Sequence, residues 1–445
     1  MRYFFVGIGG VSMSALAKLL WQEGHIVAGS DAVESVNTQE LSAMGMSIFI
    51  GHSASNIAEI MPKYVVINGA IVDDNPELAY ARTHNIKIIY REVLLARIAR
   101  KYQKVIAVAG CHGKSSTTAM TGLIFREAGC APTVHNGVQD NLYLGGKSWF
   151  ITEACEFRKS FLRLKPNIAI ITNVDADHLD CYRDLDEIKK SFVRFASQSD
   201  IVIKNANDSN SVNLRGKKRT ITFGIDVGDV HAKNILPLMS GGYAFDLVIN
   251  PRVFGIYYAV PQLRINIPGI HNVVNALAAI TCALVCQLDL TSVRQGIAHF
   301  QGIARRFQQF AKIARTPIIL DYAHHPREIL TTIQTAENLY KKYLIVFQPH
   351  TYTRTLSLWD DFLQVFAKVP NLVFYKTFAA RGKPIVGGRA LDLSRALQVK
   401  YFASPQQLLV YLKKVAPNFD AIILCGAGDV VSGSFLRQAS FVTFD

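Results

Sequence analysis

VIAVAGCHGKSSTT, residues 105–118, carries the reading that decides the architecture of this chain. Val105 to Ala109 has the length and apolarity of a buried strand, and Ser116 to Ala128 has a helical pattern. Between them lies Gly110-Cys111-His112-Gly113-Lys114-Ser115. A strand that turns through glycines into a helix gathers backbone N–H groups at the positive end of the helix dipole, and phosphates bind there. Lys114 would meet the outer phosphates, and the Ser115 hydroxyl would face Mg²⁺. The spacing is GxxGKS, shorter than the common GxxxxGK[ST] loop, which argues against an ordinary ATPase or GTPase and for a family with a contracted loop.

Towards the N-terminus a second glycine turn appears. Tyr3 to Val6 reads as a strand leading into Gly7-Ile8-Gly9-Gly10, Met13 to Trp21 as an amphipathic helix, and Ile26 to Ala28 as a strand ending at Gly29-Ser30-Asp31. That layout is a dinucleotide-type βαβ unit, with Ser12 where a third glycine is usual. An NAD-dependent enzyme fits this segment alone but gives no use to a second phosphate loop. A UDP-linked ligand on the first turn, with ATP on the second, gives both a use.

Strand-length apolar runs alternate with helical patterns nearly throughout, an α/β signature with parallel sheets. At 445 residues the chain is too long for one core. Three domains are expected: a Rossmann-like domain at 1–102, a central P-loop-type ATPase domain at 103–302 and a C-terminal Rossmann-like domain at 303–445. Ile168 to Thr172 reads as a buried strand of the second, and Ile318 to Leu320, Leu344 to Phe347 and Ala421 to Leu424 as strands of the third. Ser209 to Leu263, with its glycine turns, reads as an antiparallel insertion in the central domain.

The net charge is +14, rising from 0 over 1–102 to +5 over 103–302 and +9 over 303–445. The basic residues are dispersed rather than gathered into a stripe with aromatics, so no nucleic-acid partner is expected, and a phosphorylated, carboxylated substrate draws on the same charge. A basic nucleotide-responsive nucleic-acid-binding protein is the less favoured alternative. No uninterrupted apolar run reaches the length of a membrane span, and a strand pattern begins at Tyr3, so neither membrane insertion nor a signal peptide is expected and the chain should be cytoplasmic. Seven cysteines occur without a CxxC pair. Cys282 and Cys286 lie four apart in an apolar helical stretch, where they pack as small hydrophobes, so neither disulfides nor structural zinc is implied.

Downstream of the phosphate loop, Glu153-Ala154-Cys155-Glu156 follows the apolar Trp149 to Ile151, and Thr172 to Asp180 (TNVDADHLD) follows another buried strand. Carboxylates and a histidine at the carboxyl ends of parallel strands sit where α/β proteins form their ligand sites.

With these blocks in order the chain resembles the Mur ligases over essentially its whole length: GIGGVSMSALA (7–17), DNPE (74–77), GCHGKSSTT (110–118), EACEFRKSFL (153–162), TNVDADHLDCY (172–182), GIHNVVNALAA (269–279), ARRFQ (304–308), DYAHHP (321–326) and FQPHTYTRT (347–355). The first and last blocks point to the alanine-adding branch, with a murein-peptide recycling ligase as the alternative. The resemblance implies ATP and Mg²⁺ as cofactors and UDP-N-acetylmuramate and L-alanine as substrates. It implies an acyl phosphate formed on the muramate carboxylate and displaced by the alanine amine. Gly7, Gly9, Gly10, Ser12, Met13, Ser14 and Asp31 would contact the UDP-sugar. ATP would meet Gly110, Cys111, His112, Gly113, Lys114, Ser115, Ser116, His271, Asn275, Arg306 and Asp321. Ser115, Glu153 and His178 would hold the metal, with Lys114, Glu153 and His178 as the catalytic set, and His324, His350 and Arg354 would surround alanine. A monomer or homodimer is expected. No lysine is assigned a carbamylated role, although Lys189 lies near the matching position.

Overall fold

A computed structural model describes residues 1–138, 142–177, 181–214, 219–239, 241–255, 258–380 and 382–444. These form two compact units, the first from 1–236, 244–265 and 273–300, the second from 237–243, 266–272 and 301–445.

The first unit opens with β1 (Arg2–Val6), β2 (Ile26–Asp31), β3 (Ser47–Ile50), β4 (Tyr64–Ile67) and β5 (Lys87–Tyr90), all parallel, in the order β3-β2-β1-β4-β5. The strands are apolar on both faces because both are covered. Phe4, Val6, Val65 and Ile67 pack with Ile57 and Leu78. Phe5, Val27 and Val66 pack with Leu16, Leu19 and Leu20 of helix α1 (Val11–Gln22) and with Leu94 and Ile98. The strand order reverses at β1, so the crevice for a ligand opens where β1 ends at Gly7. The sequence reading stopped the second strand before Gly29, but β2 runs through to Asp31. Gly29 serves close packing rather than a turn, since a Cβ there would drive into Ile8 and the Phe5 carbonyl.

The second sheet contains β6 (Lys104–Ala109), β7 (Thr133–His135), β8 (Leu142–Tyr143), β9 (Trp149–Glu153), β10 (Ile168–Ile171), β11 (Ile201–Asn205), β12 (Arg219–Ile225), β13 (Val230–Pro237), β14 (Tyr243–Ile249) and β15 (Tyr258–Ile265). Its order is β15-β14-β13-β12-β11-β10-β6-β9-β7-β8. β6 lies between β10 and β9, parallel to both. The expected antiparallel insertion is corrected at its first two pairings: β12 pairs parallel with β11 and with β13, and the fully buried Ile221 lies beside Ile203. One apolar cluster runs from Leu94, Ile98 and Tyr102 to Phe161, Phe192 and Phe195, so the first two sheets share a core.

The second unit holds β16 (Gln308–Ile313), β17 (Thr316–Asp321), β18 (Tyr343–Gln348), β19 (Leu372–Tyr375), β20 (Lys400–Phe402), β21 (Ala421–Gly426) and β22 (Val442–Phe444), in the order β20-β19-β18-β21-β17-β16-β22. The five strands from β20 to β17 are parallel, and β16 and β22 close the edge antiparallel. Apolar clusters cover both faces. Among the described residues no helix is long and apolar enough to cross a membrane, and all seven cysteines are free thiols.

Candidate active site

The phosphate loop is built from its neighbours as much as from itself. Gly110 and Gly113 take φ of 140° and 82°, conformations that side chains rarely adopt. A Cβ on Gly110 would collide with Thr172 and one on Gly113 with Asn275. Asn173, just beyond β10, accepts from His112 N at 2.9 Å and donates to the His112 carbonyl at 2.9 Å, while the Thr172 hydroxyl donates to the same carbonyl at 2.6 Å. The Cys111 thiol accepts from Asp175 N at 3.1 Å. Parallel pairing of β10 with β6 brings these ends together.

The helix Lys114–Glu127 starts at Gly113 without a side-chain cap, leaving its first-turn N–H groups aimed out of the loop. Lys114 folds over the loop: Nζ donates to the carbonyls of Gly110 and Cys111 and lies 3.0 Å from Glu156 Oε1. Burial is the largest single influence and opposes its charge, but Glu156 and, behind it, the other groups around the loop, Glu153 among them, together outweigh burial and raise the ammonium pKa, so Lys114 is a fixed cation. Burial and then Glu156 push the Cys155 thiol up to about 11, and Cys111 moves the same way. Neither thiol ionises at neutral pH, so this loop offers no cysteine nucleophile.

Ser115 Oγ donates to Glu153 Oε2 at 2.8 Å, and the Gly137 N–H meets the same oxygen at 3.0 Å. A hydroxyl beside a carboxylate is a hard oxygen donor set that fits Mg²⁺. The uncapped helix start and the glycine cradle fit a nucleotide phosphate. His178 lies outside the described residues. Asn275 accepts from Thr117 Oγ1 at 3.4 Å, which places it beside the loop.

At the first glycine turn Gly7 has φ 79°, and Gly10 starts α1, again without a side-chain cap. Asp31 accepts from Gly9 N at 2.9 Å, so its carboxylate braces the turn. Met13 is buried, as is Ser14, whose hydroxyl donates to the Val11 carbonyl and whose N–H donates to the Gly10 carbonyl at 2.8 Å. Ser12 Oγ lies 3.0 Å from His135 Nε2 and accepts from Arg91 at 3.1 Å.

In the second unit Asp321 accepts from Phe307 N at 3.0 Å and Ala323 N at 2.8 Å. Burial pushes its carboxyl up to about 6 against the opposing pull of Arg306. Arg306 pairs with Glu328 at 3.2 Å. His271 is lowered to about 4 by burial and by Arg306. The rings of His324 and His350 lie edge to face at 5.7 Å, and Arg354 is 3.2 Å from His350 Nδ1. Burial holds both histidines down at about 4, with Glu328 opposing at His324 and Arg354 reinforcing at His350. Thr351, which follows His350 in the chain, takes φ 62° and ψ 144°, a strained backbone for a threonine.

Sequence reasoning missed Arg91, His135 and the bracing roles of Thr172, Asn173 and Glu156. The bracing was legible in principle, because residues just past a strand parallel to β6 must sit beside its loop. A single histidine at the end of a short strand carries no such signal.

Two phosphate-type turns, one ending β1 and one ending β6, together with a further α/β sheet in the second unit, are the parts of a nucleotide-dependent ligase. Sequence profiles of the Mur ligase catalytic domain, the Mur ligase middle domain and the Mur ligase glutamate ligase domain match residues 2–103, 108–283 and 305–428, and the chain belongs to the Mur ligase family. It is similar to the UDP-N-acetylmuramate–L-alanine ligase of Clostridium novyi, 38% identical over 446 residues and covering 96% of this chain and 95% of the relative. The enzyme of that name from Caldanaerobacter subterraneus is 37% identical over 456 residues, covering 98% and 97%. Among solved structures, the UDP-N-acetylmuramate–alanine ligase of Thermotoga maritima superposes with a TM-score of 0.82 at 29% identity over 98% of this chain and 99% of that one. The murein peptide ligase of Psychrobacter arcticus, at 22% identity and TM-score 0.70 over 98% of each chain, shares the fold.

Proposed function

We propose that this protein joins L-alanine to the carboxylate of UDP-N-acetylmuramate, converting ATP to ADP and phosphate, in the assembly of peptidoglycan precursors. The observation that carries the reading is near-full-length similarity to ligases of that name together with the paired turns at Gly7 and Gly110. Residues 1–102 would bind the sugar nucleotide, 103–302 ATP and 303–445 the amino acid.

In this reading the muramate carboxylate attacks the γ-phosphorus and ADP leaves; the alanine amine then attacks the acyl carbon, and the tetrahedral intermediate expels phosphate. Phosphoryl transfer needs positioned positive charge more than a covalent nucleophile. Lys114, held charged by Glu156, follows charge onto the leaving ADP. Mg²⁺, held by Ser115, Glu153 and His178, would neutralise charge on the phosphoryl oxygens. His271, Asn275, Arg306 and Asp321 would contact the nucleotide. Arg354 would clamp the alanine carboxylate by two parallel hydrogen bonds, with His324 and His350, neutral at pH 7, beside it. Consumption of ATP and seven free thiols fit a cytoplasmic enzyme.

The test is phosphate release from ATP with UDP-N-acetylmuramate present and each amino acid supplied in turn, with a murein tripeptide as competitor. Release is expected only when sugar nucleotide and amino acid are both present, with L-alanine best. Equal release without the sugar nucleotide would overturn the reading.

A further inference from the structure

A line of hydrogen bonds runs from the first glycine turn to the backbone carbonyl of Glu153, the residue whose carboxylate accepts from Ser115 at the phosphate loop. Arg91 donates to Ser12 Oγ at 3.1 Å, and Ser12 Oγ lies 3.0 Å from His135 Nε2. His135 Nδ1 lies 2.9 Å from Thr152 Oγ1, and the Thr152 hydroxyl donates at 3.1 Å to the carbonyl of Glu153. Glu153 in turn receives Ser115.

Among these side-chain links one arrangement satisfies all of them, although the Ser12 backbone also meets the ring and favours its protonation against burial. Thr152 spends its proton on the Glu153 carbonyl, so it accepts from His135, which must carry its proton on Nδ1. His135 Nε2 then accepts, and the proton comes from Ser12, whose oxygen receives Arg91. All the donors run one way, from Arg91 to Glu153, through a neutral imidazole. The ring is 2% exposed and lies flat beside Phe150, with centroids 6.4 Å apart, so no water competes for its nitrogens. Burial, followed by the Arg91 charge, holds the imidazole down at about 3, in keeping with a ring that stays neutral.

We propose that His135 is a positioning residue that couples the two turns, so that a ligand ordering Ser12 at the start of α1 also orders the Ser115–Glu153 pair, and the reverse. This rests on the reading that the sugar nucleotide takes the first turn and ATP the second. Coupling between two sites is a reciprocal change in affinity, commonly about 5- to 150-fold, and it requires a physical connection that both ligands bias. The relay is that connection, and His135 is its midpoint.

The experiment measures the Kd of UDP-N-acetylmuramate by calorimetry, with and without a non-hydrolysable ATP analogue and Mg²⁺, in the wild-type protein and in His135→Phe. Phenylalanine keeps a ring beside Phe150 but removes both nitrogens. Wild type is expected to bind the sugar nucleotide at least about fivefold more tightly when the analogue is present. In His135→Phe that ratio is expected to fall towards one, while the Kd of the analogue alone changes by less than about threefold. His135→Gln, which retains an acceptor and a donor, is expected to restore part of the ratio. A merely structural role would weaken both ligands alike and leave the ratio intact, and that result, or no ratio in wild type, overturns the proposal. Failure of UDP-N-acetylmuramate to bind wild type at all would overturn the functional reading instead. Should His135→Phe not fold, Thr152→Val removes one hydroxyl of the same line and decides between the same outcomes.

Discussion

Lys114 shows how a single side chain serves both stability and chemistry. Its partner Glu156 is almost wholly buried, with 2% of its side chain exposed. Removing one member of a buried pair strands the other charge, at a cost of about 3 to 5 kcal/mol. Lys114→Ala is therefore expected to lower Tm as well as to reduce kcat by about 10² to 10³. Adding Glu156→Gln should recover Tm without recovering kcat; thermal melts beside steady-state turnover make the comparison, and recovery of both would reduce GCHGKS to a structural turn. Glu153→Ala should raise the Mg²⁺ concentration needed for half-maximal activity, read from a metal titration, since it removes a carboxylate from the Ser115 pair. Arg354→Ala is expected to raise the KM for alanine, with a loss of about 2 to 5 kcal/mol, and to leave UDP-N-acetylmuramate binding nearly unchanged. Alanine kinetics that do not move would place the carboxylate clamp elsewhere.

Elements were legible wherever an apolar run of strand length was bounded by polar residues, proline or glycine. The strands at Tyr3, Val105, Ile168, Ile318, Leu344 and Ala421 and the helices after both turns follow from runs whose two faces are covered, and the structure extends them by a residue or two at most ends. Gly29 misled, because glycine marks close packing as often as it marks a turn, and sequence does not say which neighbour approaches. The stretch after Ser209 misled because strand direction is set by the pairing partner, here β11, and not by local pattern. Asp31 was legible as an acid closing β2, whereas its engagement with Gly9 depends on the fold of the turn. Gly113→Ala should abolish nucleotide binding measured by fluorescent-analogue titration, because φ 82° and the Asn275 contact both exclude a Cβ. A variant that binds normally would show the turn to be adaptable.

Across the whole molecule, buried histidines of depressed pKa occur in both units, His135 in the first and His324 in the second. Unfolded imidazoles take up protons near pH 6.5. As the pH falls below that value the unfolded chain binds protons that the folded chain refuses, so stability is lost at up to about 1.4 kcal/mol per pH unit for each such histidine. Asp321, raised to about 6, has the opposite sign: the folded form holds its proton where the unfolded form has released it, so its contribution is lost as the pH rises through 6. Melting curves between pH 7.5 and pH 5 (about the span in which histidine titrates) should show Tm falling with acidity, with a shallower slope in His135→Phe. An unchanged slope would mean that His135 takes up its proton in the folded state.

The grip of Thr172 and Asn173 on the His112 carbonyl has a consequence for recognition. A loop braced from a neighbouring strand is already in its binding shape before nucleotide arrives, so association does not spend free energy on ordering it. The Cys111 and His112 amides, both bonded to Asn173, should exchange with solvent slowly even in the unliganded protein, and an inhibitor that mimics the phosphates meets a rigid receptor whose shape it need not induce.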